Sequence, residues 1–313
     1  PMWNNQQIDA AAYNTRDRNR VDNNVDLTAL ARYTPNNMTD VEFGLARKVR
    51  SPNLYERYTW STASMMAVMN NFVGDGNGYI GNLALRPERA VTVSTTFDLH
   101  APDRRWELQV TPYRTQIADY IDAVQWDAAT NAPRAVPVHN TFTVLKYANQ
   151  SARLYGVDVS GKVRLAETGL GTFGLEGTLA WSDGENTRTG DGLYHRMPLN
   201  AKLALTQRIG GWENALEVVG VDAKDSVSRV RNEVQTTGYG LVNLRVGHAW
   251  ERVRLDVGVD NVFDRYYALP TGGAYLGQGT TMSMNPPLPN YPQWGTAVPG
   301  AGRSIHAAFN VKF

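Results

Sequence analysis

Two groups of methionines are the residues best suited to do chemistry in this chain. Of eight methionines, Met65, Met66 and Met69 form one group, and Met282 and Met284 form another. Thioether sulfur is a soft donor that prefers Cu(I) to hard cations, so these five make a candidate metal set for capturing copper. Met65 and Met69 would share a face if their segment is helical, because residues four apart meet on a helix. The competing reading is packing, since methionine adapts its shape to gaps between long segments. Other chemistries find little support. The absence of cysteine excludes thiolate metal sites, disulfides and cysteine nucleophiles. His100, His139, His195, His248 and His306 are scattered, with no pair at zinc-ligand spacing, and read as surface or lumen residues. There is no G-x-S-x-G elbow, H-E-x-x-H pair or phosphate-binding P-loop. Gly169, Gly171 and Gly174 have the spacing of a dinucleotide fingerprint but lead into an alternating run instead of opening a helix. Asp75-Gly76-Asn77-Gly78 starts like a calcium loop and breaks at Tyr79, so it reads as a glycine-rich turn. Nothing here calls for an enzyme or a resident cofactor.

Composition narrows the field further. The 313 residues carry 31 basic and 30 acidic side chains for a net charge of +1, so no global field points to nucleic acid or to an anionic membrane surface. No run approaches the 18 or more apolar residues of a membrane-crossing helix. Pro1 to Asp9 lack a basic region followed by an apolar stretch, so the chain is expected to be mature or truncated.

The elements that must position any site are strands. Ile305, Ala307, Phe309, Val311 and Phe313 alternate with Ser304, His306, Asn310 and Lys312. Val253, Leu255, Val257 and Val259 likewise alternate with Arg252, Arg254, Asp256 and Asp260. A period of two with one greasy and one charged row is the pattern of a strand between two different solvents. Similar rows at Val25–Tyr33, Val41–Val49, Val91–Leu99, Trp106–Val110, Tyr155–Leu165, Phe173–Trp181, Leu199–Leu205, Leu216–Gly220 and Val242–Val246 bring the count to eleven.

The joints between these strands alternate in length. Short ones fall at Pro35–Met38, Ala101–Asp103, Glu167–Gly169, Ile209–Gly211 and Trp250–Glu251. Long ones run across Arg50–Arg89, Ala123–Gln150, Gly184–His195, Ala223–Thr237 and Asp264–Gly302. Short turns at one end and long loops at the other are the signature of an outer-membrane β-barrel; a soluble sandwich would instead bury its apolar rows between two sheets. With the carboxyl terminus on the periplasmic side, the short turns are periplasmic and the long loops extracellular. Trp106, Trp212, Trp250 and Phe313 then collect at the turn side, and Trp181, Phe263, Tyr266 and Tyr267 at the loop side, as two interfacial girdles. Eleven is an odd number, whereas single-chain bacterial barrels have even counts. Either Met2–Tyr13 adds a twelfth strand or residues 1–313 are the C-terminal portion of a larger barrel; the polar start at Asn14–Asn24 favours the second.

Several motifs carry a family resemblance. Asp260-Asn261-Val262-Phe263-Asp264-Arg265-Tyr266-Tyr267 resembles the penultimate-strand signature of TonB-dependent outer-membrane receptors, and the closing Phe313 resembles their assembly signal. Ala46-Arg47-Lys48-Val49-Arg50-Ser51-Pro52-Asn53-Leu54-Tyr55-Glu56, Leu85-Arg86-Pro87-Glu88 and Ala152-Arg153-Leu154-Tyr155-Gly156-Val157-Asp158 are similar to mid-barrel motifs of that family. Glu56-Arg57-Tyr58-Thr59-Trp60-Ser61-Thr62 leading to Gly74–Tyr79, and Gly272–Thr280 leading to Pro299–Ser304, are most similar to its copper-receptor subgroup.

The resemblance implies an all-β, transmembrane antiparallel barrel of 22 strands closed by an N-terminal plug, of which 11 or 12 strands are expected here and the plug is absent. It implies active transport across the outer membrane of a Gram-negative bacterium, copper being the expected ligand and a ferric siderophore or other organometal the alternative. A passive porin or a barrel enzyme is the alternative class. The implied partners are outer-membrane lipid, the plug, the remaining strands and the TonB-ExbB-ExbD complex, which would engage a segment outside this chain. Arg252, Arg254, Asp256, Asp260, Asn310 and Lys312 are expected to face the lumen. The principal metal site is expected to involve the plug or the early strands.

Overall fold

The computed structural model describes residues 10–61, 74–127, 129–139, 142–275 and 295–312. In chain order the strands are β1 (Leu27–Asn36), β2 (Thr39–Arg50), β3 (Gly78–Ile80), β4 (Glu88–His100), β5 (Trp106–Asp127), β6 (Ala132–Pro133), β7 (Val144–Thr168), β8 (Gly171–Asn186), β9 (Asn200–Ile209), β10 (Trp212–Val221), β11 (Tyr239–Ala249), β12 (Val253–Asp260), β13 (Ala274–Tyr275), β14 (Thr296–Ala297) and β15 (Ser304–Val311). One sheet runs in the order β1-β2-β4-β5-β7-β8-β9-β10-β11-β12-β15, and every neighbouring pair along it is antiparallel. These are the eleven strands expected from the alternation. The short β3 adds in parallel to the upper part of β7, and β6 pairs with the end of β5.

Register aligns the side chains into rows, and neighbouring rows differ in character. Trp106, Val163, Leu175, Leu205, Leu216, Leu244, Val259 and Ile305 are successive cross-strand partners, forming an unbroken apolar row over eight strands. Leu205, Leu216 and Ile305 in it are 42%, 42% and 73% exposed. One residue over, His100, Glu107, Lys162, Glu176, Ala204, Glu217 and Asn243 form the matching polar row. Cross-strand ion pairs line this second face, with Lys162–Glu107 at 3.1 Å and Lys202–Glu217 at 3.2 Å. A continuous exposed apolar band of this extent cannot face water; it is the lipid side of a barrel wall, and the charged face is the lumen side. No helix among the described residues is long and apolar enough to cross a membrane.

The face assignment of β12 and β15 follows the expectation. Leu255 opposes Phe309 and Val257 opposes Ala307 on the lipid side, while Arg254 opposes Asn310 and Asp256 opposes Ala308 on the lumen side. Arg254 bonds Glu213 and Asp256, and Arg245 bonds Asp260, all toward the lumen. Phe313 lies outside the described residues. At the turn end, Gly210 and Gly211 both have positive φ, 52° and 85°, which suits the two-residue hairpin between β9 and β10. A Cβ on Gly211 would also lie 2.8 Å from the Ala249 carbonyl of the adjacent strand. Trp212 and Trp250 flank His248 here at ring distances of 4.4 and 4.2 Å, giving the turn-side girdle a real cluster.

Two expectations need correction. The strand expected at Trp106–Val110 continues to Asp127, and the next begins at Val144, ahead of the expected loop boundary at Gln150. The hairpin therefore rises well above the rest of the wall. Its upper residues Ile121, Asp122 and Ala123 are all buried, so no alternation marks that stretch in the sequence. At the sheet's two ends, every residue of β1 and of β15 is exposed, and neither strand has a second partner among the described residues.

Candidate functional site

Above the wall, on the long-loop side, four segments far apart in sequence fold onto one buried polar core. Tyr79 of β3 is completely buried and stacks on Tyr147 at 5.0 Å. Leu85, Ile121, Ala123 and Leu145 complete this small apolar cluster. Beside it the Arg231 guanidinium, itself buried, donates to Asp122 Oδ1 from Nε at 3.1 Å and to the Tyr79 hydroxyl from Nη1 at 2.5 Å. Tyr79 in turn donates to Asp75, and Arg231 Nη1 lies 4.0 Å from that carboxylate. Asn77 donates to the Arg231 carbonyl at 2.6 Å, and Asn186 donates to Asp122 Oδ2 at 2.8 Å. Buried charges persist only when surrounded in this way. Burial opposes the Arg231 charge, but Tyr79, Asp122 and Asp75 around it hold its pKa well above the ordinary value. Burial pushes the Tyr79 phenol up, so it stays protonated and remains a donor to Asp75.

A second buried pair ties down the next loops. Lys224 Nζ donates to Glu233 Oε1 at 2.5 Å and to the Pro270 carbonyl at 2.9 Å. Glu233 also accepts from the backbone N–H of His195 and of Ser228, at 2.9 and 2.8 Å. The Lys224–Glu233 pair thus joins three loops, the carboxylate reaching those after β8 and β10 and the ammonium that after β12. Asp191 adds a further tie, accepting from Arg229 Nε at 2.7 Å and from the Val230 N–H at 3.0 Å.

Next to these ties is a recess of about 570 Å³ whose lining includes His139, Asp225, Arg229, Asn232, Glu233 and Gln235. This volume is in the range of small-molecule sites. Its lining also includes Gly192 and Gly295, and every lining residue comes from one of the long joints at the loop end of the barrel.

Met65, Met66, Met69, Met282 and Met284 lie outside the described residues. The residues next to their two segments are described, and they meet. Gly74 follows the first segment, and Gly273 lies shortly before the second; a Cβ on Gly273 would stand 2.7 Å from the Gly74 carbonyl oxygen. Gly273 also has φ +77°, so both its conformation and its surroundings call for glycine. Asp75, next to Gly74, shares a small cavity with Gly273 and Ala274.

The described residues contain one further donor set that could hold a metal ion. Donor atoms of Asp40, Asp98 and His100 fall within 4.8 Å of one another on the lumen side, near the short turns. Asp40 is already engaged there by Arg32 at 2.7 Å and by the Thr34 hydroxyl. His100 Nδ1 meets the Ala101 carbonyl at 3.1 Å, and its Nε2 faces Asp40 at 3.7 Å. Spacing along the sequence conceals this group, because strand pairing rather than proximity in the chain sets Asp40 opposite Asp98. The Arg231 core is hidden for the same reason. The only local hint was Asp75-Gly76-Asn77-Gly78, where Asp75 does cap a turn by accepting from the Asn77 N–H at 3.0 Å.

A family model for the TonB-dependent receptor-like β-barrel matches residues 3–262. The chain belongs to the TonB-dependent receptor family. Barrels of this family are transporters of the Gram-negative outer membrane, which agrees with the apolar wall. Among solved structures, the barrel is similar to the copper transporter OprC, with TM-score 0.69 and 18% identity over 91% of this chain and 39% of that one. It is also similar to the siderophore receptor PirA from Acinetobacter baumannii, with TM-score 0.61 and 15% identity over 92% and 41%. The FrpB iron transporter from Neisseria meningitidis matches with TM-score 0.59 and 15% identity over 92% and 39%. No curated protein matches the sequence. The chain spans about two fifths of the length of these structures, and at such identities the likeness is one of fold.

Proposed function

We propose that this barrel segment serves a TonB-driven importer whose cargo is copper, captured at the extracellular rim by Met65, Met66, Met69, Met282 and Met284. The observation that carries this reading is the contact between Gly74 and Gly273, which brings together the chain next to both methionine-bearing segments. Soft thioethers suit Cu(I) better than any hard cation, and in this reading the two segments supply them jointly. In this scheme the ion passes from the rim into a lumen walled by charged residues such as Arg254, Asp256 and Glu217. A plug, and further strands pairing with the free edges of β1 and β15, complete the barrel. Energy reaches the plug through the TonB-ExbB-ExbD complex, acting on a segment beyond these residues.

A second cargo has its own support. The recess of about 570 Å³ is far larger than a bare ion needs and is lined by hydrogen-bonding groups, which suits a ferric siderophore or another organometal. Replacing Met65, Met69, Met282 and Met284 together by Leu in the full-length receptor separates the two. Loss of Cu(I) binding with folding retained supports copper; unchanged binding removes the methionines from the account and favours the recess.

A further inference from the structure

The transport reading leaves unexplained a strip of arginines on the opposite, lipid-facing surface. In β5, Arg114 is the direct cross-strand partner of Val93 on one side and Tyr155 on the other. Val93 and Tyr155 belong to the exposed outer face, at 56% and 37%, and Arg114 is exposed with them. Among the described residues the Arg114 side chain has no hydrogen bond or ion pair. Arg153, two residues beyond Tyr155 on β7, points to the same side and opposes Gln116. Val91 and Gln116 connect it by register to Arg47 of β2. Arg89 lies on the same face one step higher.

The acids of this strip are already engaged. Glu185 pairs with Arg153 at 3.0 Å, Asp183 with Arg196 at 3.2 Å, and Asp119 with Arg89 at 2.6 Å. The surplus charge is positive and centres on Arg114, with Arg153 diagonally across from it. Among the described residues of this wall no further side chain supplies the counter-charge.

Height decides what does. Arg114 stands eight residues along β5 from Trp106 of the turn-side girdle. At about 3.3 Å per residue and a strand tilt near 40°, that is roughly 20 Å of membrane depth, close to the upper edge of an apolar band about 25 Å tall. The rings of Tyr155 and Trp181, in contact at 5.7 Å, mark that edge on the neighbouring strands. A guanidinium there can follow its flexible stem upward to the headgroups, where the chemistry that suits two adjacent arginines is phosphate.

We propose that Arg114 and Arg153, flanked by Arg47 and Arg89, form a binding site on the outer wall for a phosphate group of an outer-leaflet lipid. The site rests on the wall being membrane-facing and is independent of which cargo is carried. Occupation supplies Arg114 with the counter-ion it lacks and pins the β4–β5–β7 region of the wall at a fixed height in the bilayer.

The test uses the full-length receptor in detergent micelles doped with lipid A carrying both phosphates, or with the same lipid after enzymatic dephosphorylation. Retained lipid is counted by native mass spectrometry. The wild type should retain the phosphorylated lipid about tenfold better than the dephosphorylated one. Arg114→Gln should lower that retention about fivefold, the double change with Arg153→Gln should abolish the preference, and Arg114→Lys should keep part of it. Glu176→Gln, on the lumen face, should leave the retention of both lipids unchanged. Heat-modifiable migration of each variant reports that the barrel has folded. Equal retention of the two lipids by the wild type, or undiminished retention by a folded Arg114→Gln variant, would overturn the proposal. So would displacement of the lipid by inorganic phosphate at equal concentration, which would mark a free-anion site. Copper uptake measured in parallel tests the transport reading separately, since losing it with lipid retention intact counts against cargo assignment alone.

Discussion

The wall and the loop rim of this barrel solve opposite problems. In the wall, backbone ladders satisfy every interior strand and the side chains divide by face, apolar residues to lipid and charged residues to the lumen, except for the arginine strip and its acids at the upper edge of β2, β4, β5, β7 and β8. Among the described residues the rim joins the upper ends of β5 and β7 to short elements and loops, and buried polar groups tie these together: Arg231 with Asp122 and Tyr79, and Lys224 with Glu233. Cohesion in the wall is spread over many equivalent pairs, whereas in the rim it is concentrated in a few side chains. Single substitutions should therefore do little to the wall, unless they place charge in lipid, and much to the rim.

The largest effect is expected at Arg231. Arg231→Met leaves Asp122 and Asp75 buried without their cation, which costs about 3–5 kcal/mol of rim stability. Hydrogen exchange should speed up at Gly78–Ile80 and around Asn186, while the β9–β10 hairpin keeps its protection. The wall responds next, and only to a change of face. Val257→Arg should cost about 2–4 kcal/mol in folding into bilayers, while Asp256→Arg costs under about 1 kcal/mol, because only the first puts a charge into hydrocarbon. Urea titration of refolding into vesicles gives both values. A smaller effect is expected at Gly273→Ala, about 1–2 kcal/mol for the left-handed conformation. It should also weaken Cu(I) binding by spreading the Gly74 contact. Leu216→Ala should cost only about 1–2 kcal/mol, the transfer free energy from water to lipid that the lost methyl and methylene groups supply, with no cavity left behind because lipid tails fill the space.

How far the sequence reveals each region follows from the same contrast. All eleven wall strands are visible in it, since a strand between lipid and lumen writes its two faces into alternate residues; Val253–Asp260 shows this clearly. Where both faces are covered, as at Ile121–Ala123, the alternation disappears, and the upper parts of β5 and β7 are read as loop. The rim is harder still. Arg231 bonds Asp122 and Tyr79 across separations of 109 and 152 residues, and no local pattern encodes such pairings. Its members read in isolation as ordinary loop charges. The methionine groups are visible by composition alone and lie outside the described residues; what the fold adds is the approach of Gly74 to Gly273, one residue beside each of their segments.

The central claim of a wall between lipid and lumen can be tested one residue at a time, since residues 1–313 carry no cysteine and any cysteine elsewhere in the full-length receptor can first be replaced by serine. Single cysteines at positions 253 to 259 of the full-length receptor, labelled with an environment-sensitive fluorophore and reconstituted in vesicles, should alternate strictly. Labels at 253, 255, 257 and 259 should be quenched by nitroxide lipids, and those at 254, 256 and 258 should be insensitive to them. Uniform shielding of the odd positions from lipid quenchers would place them inside a closed protein core and contradict the account.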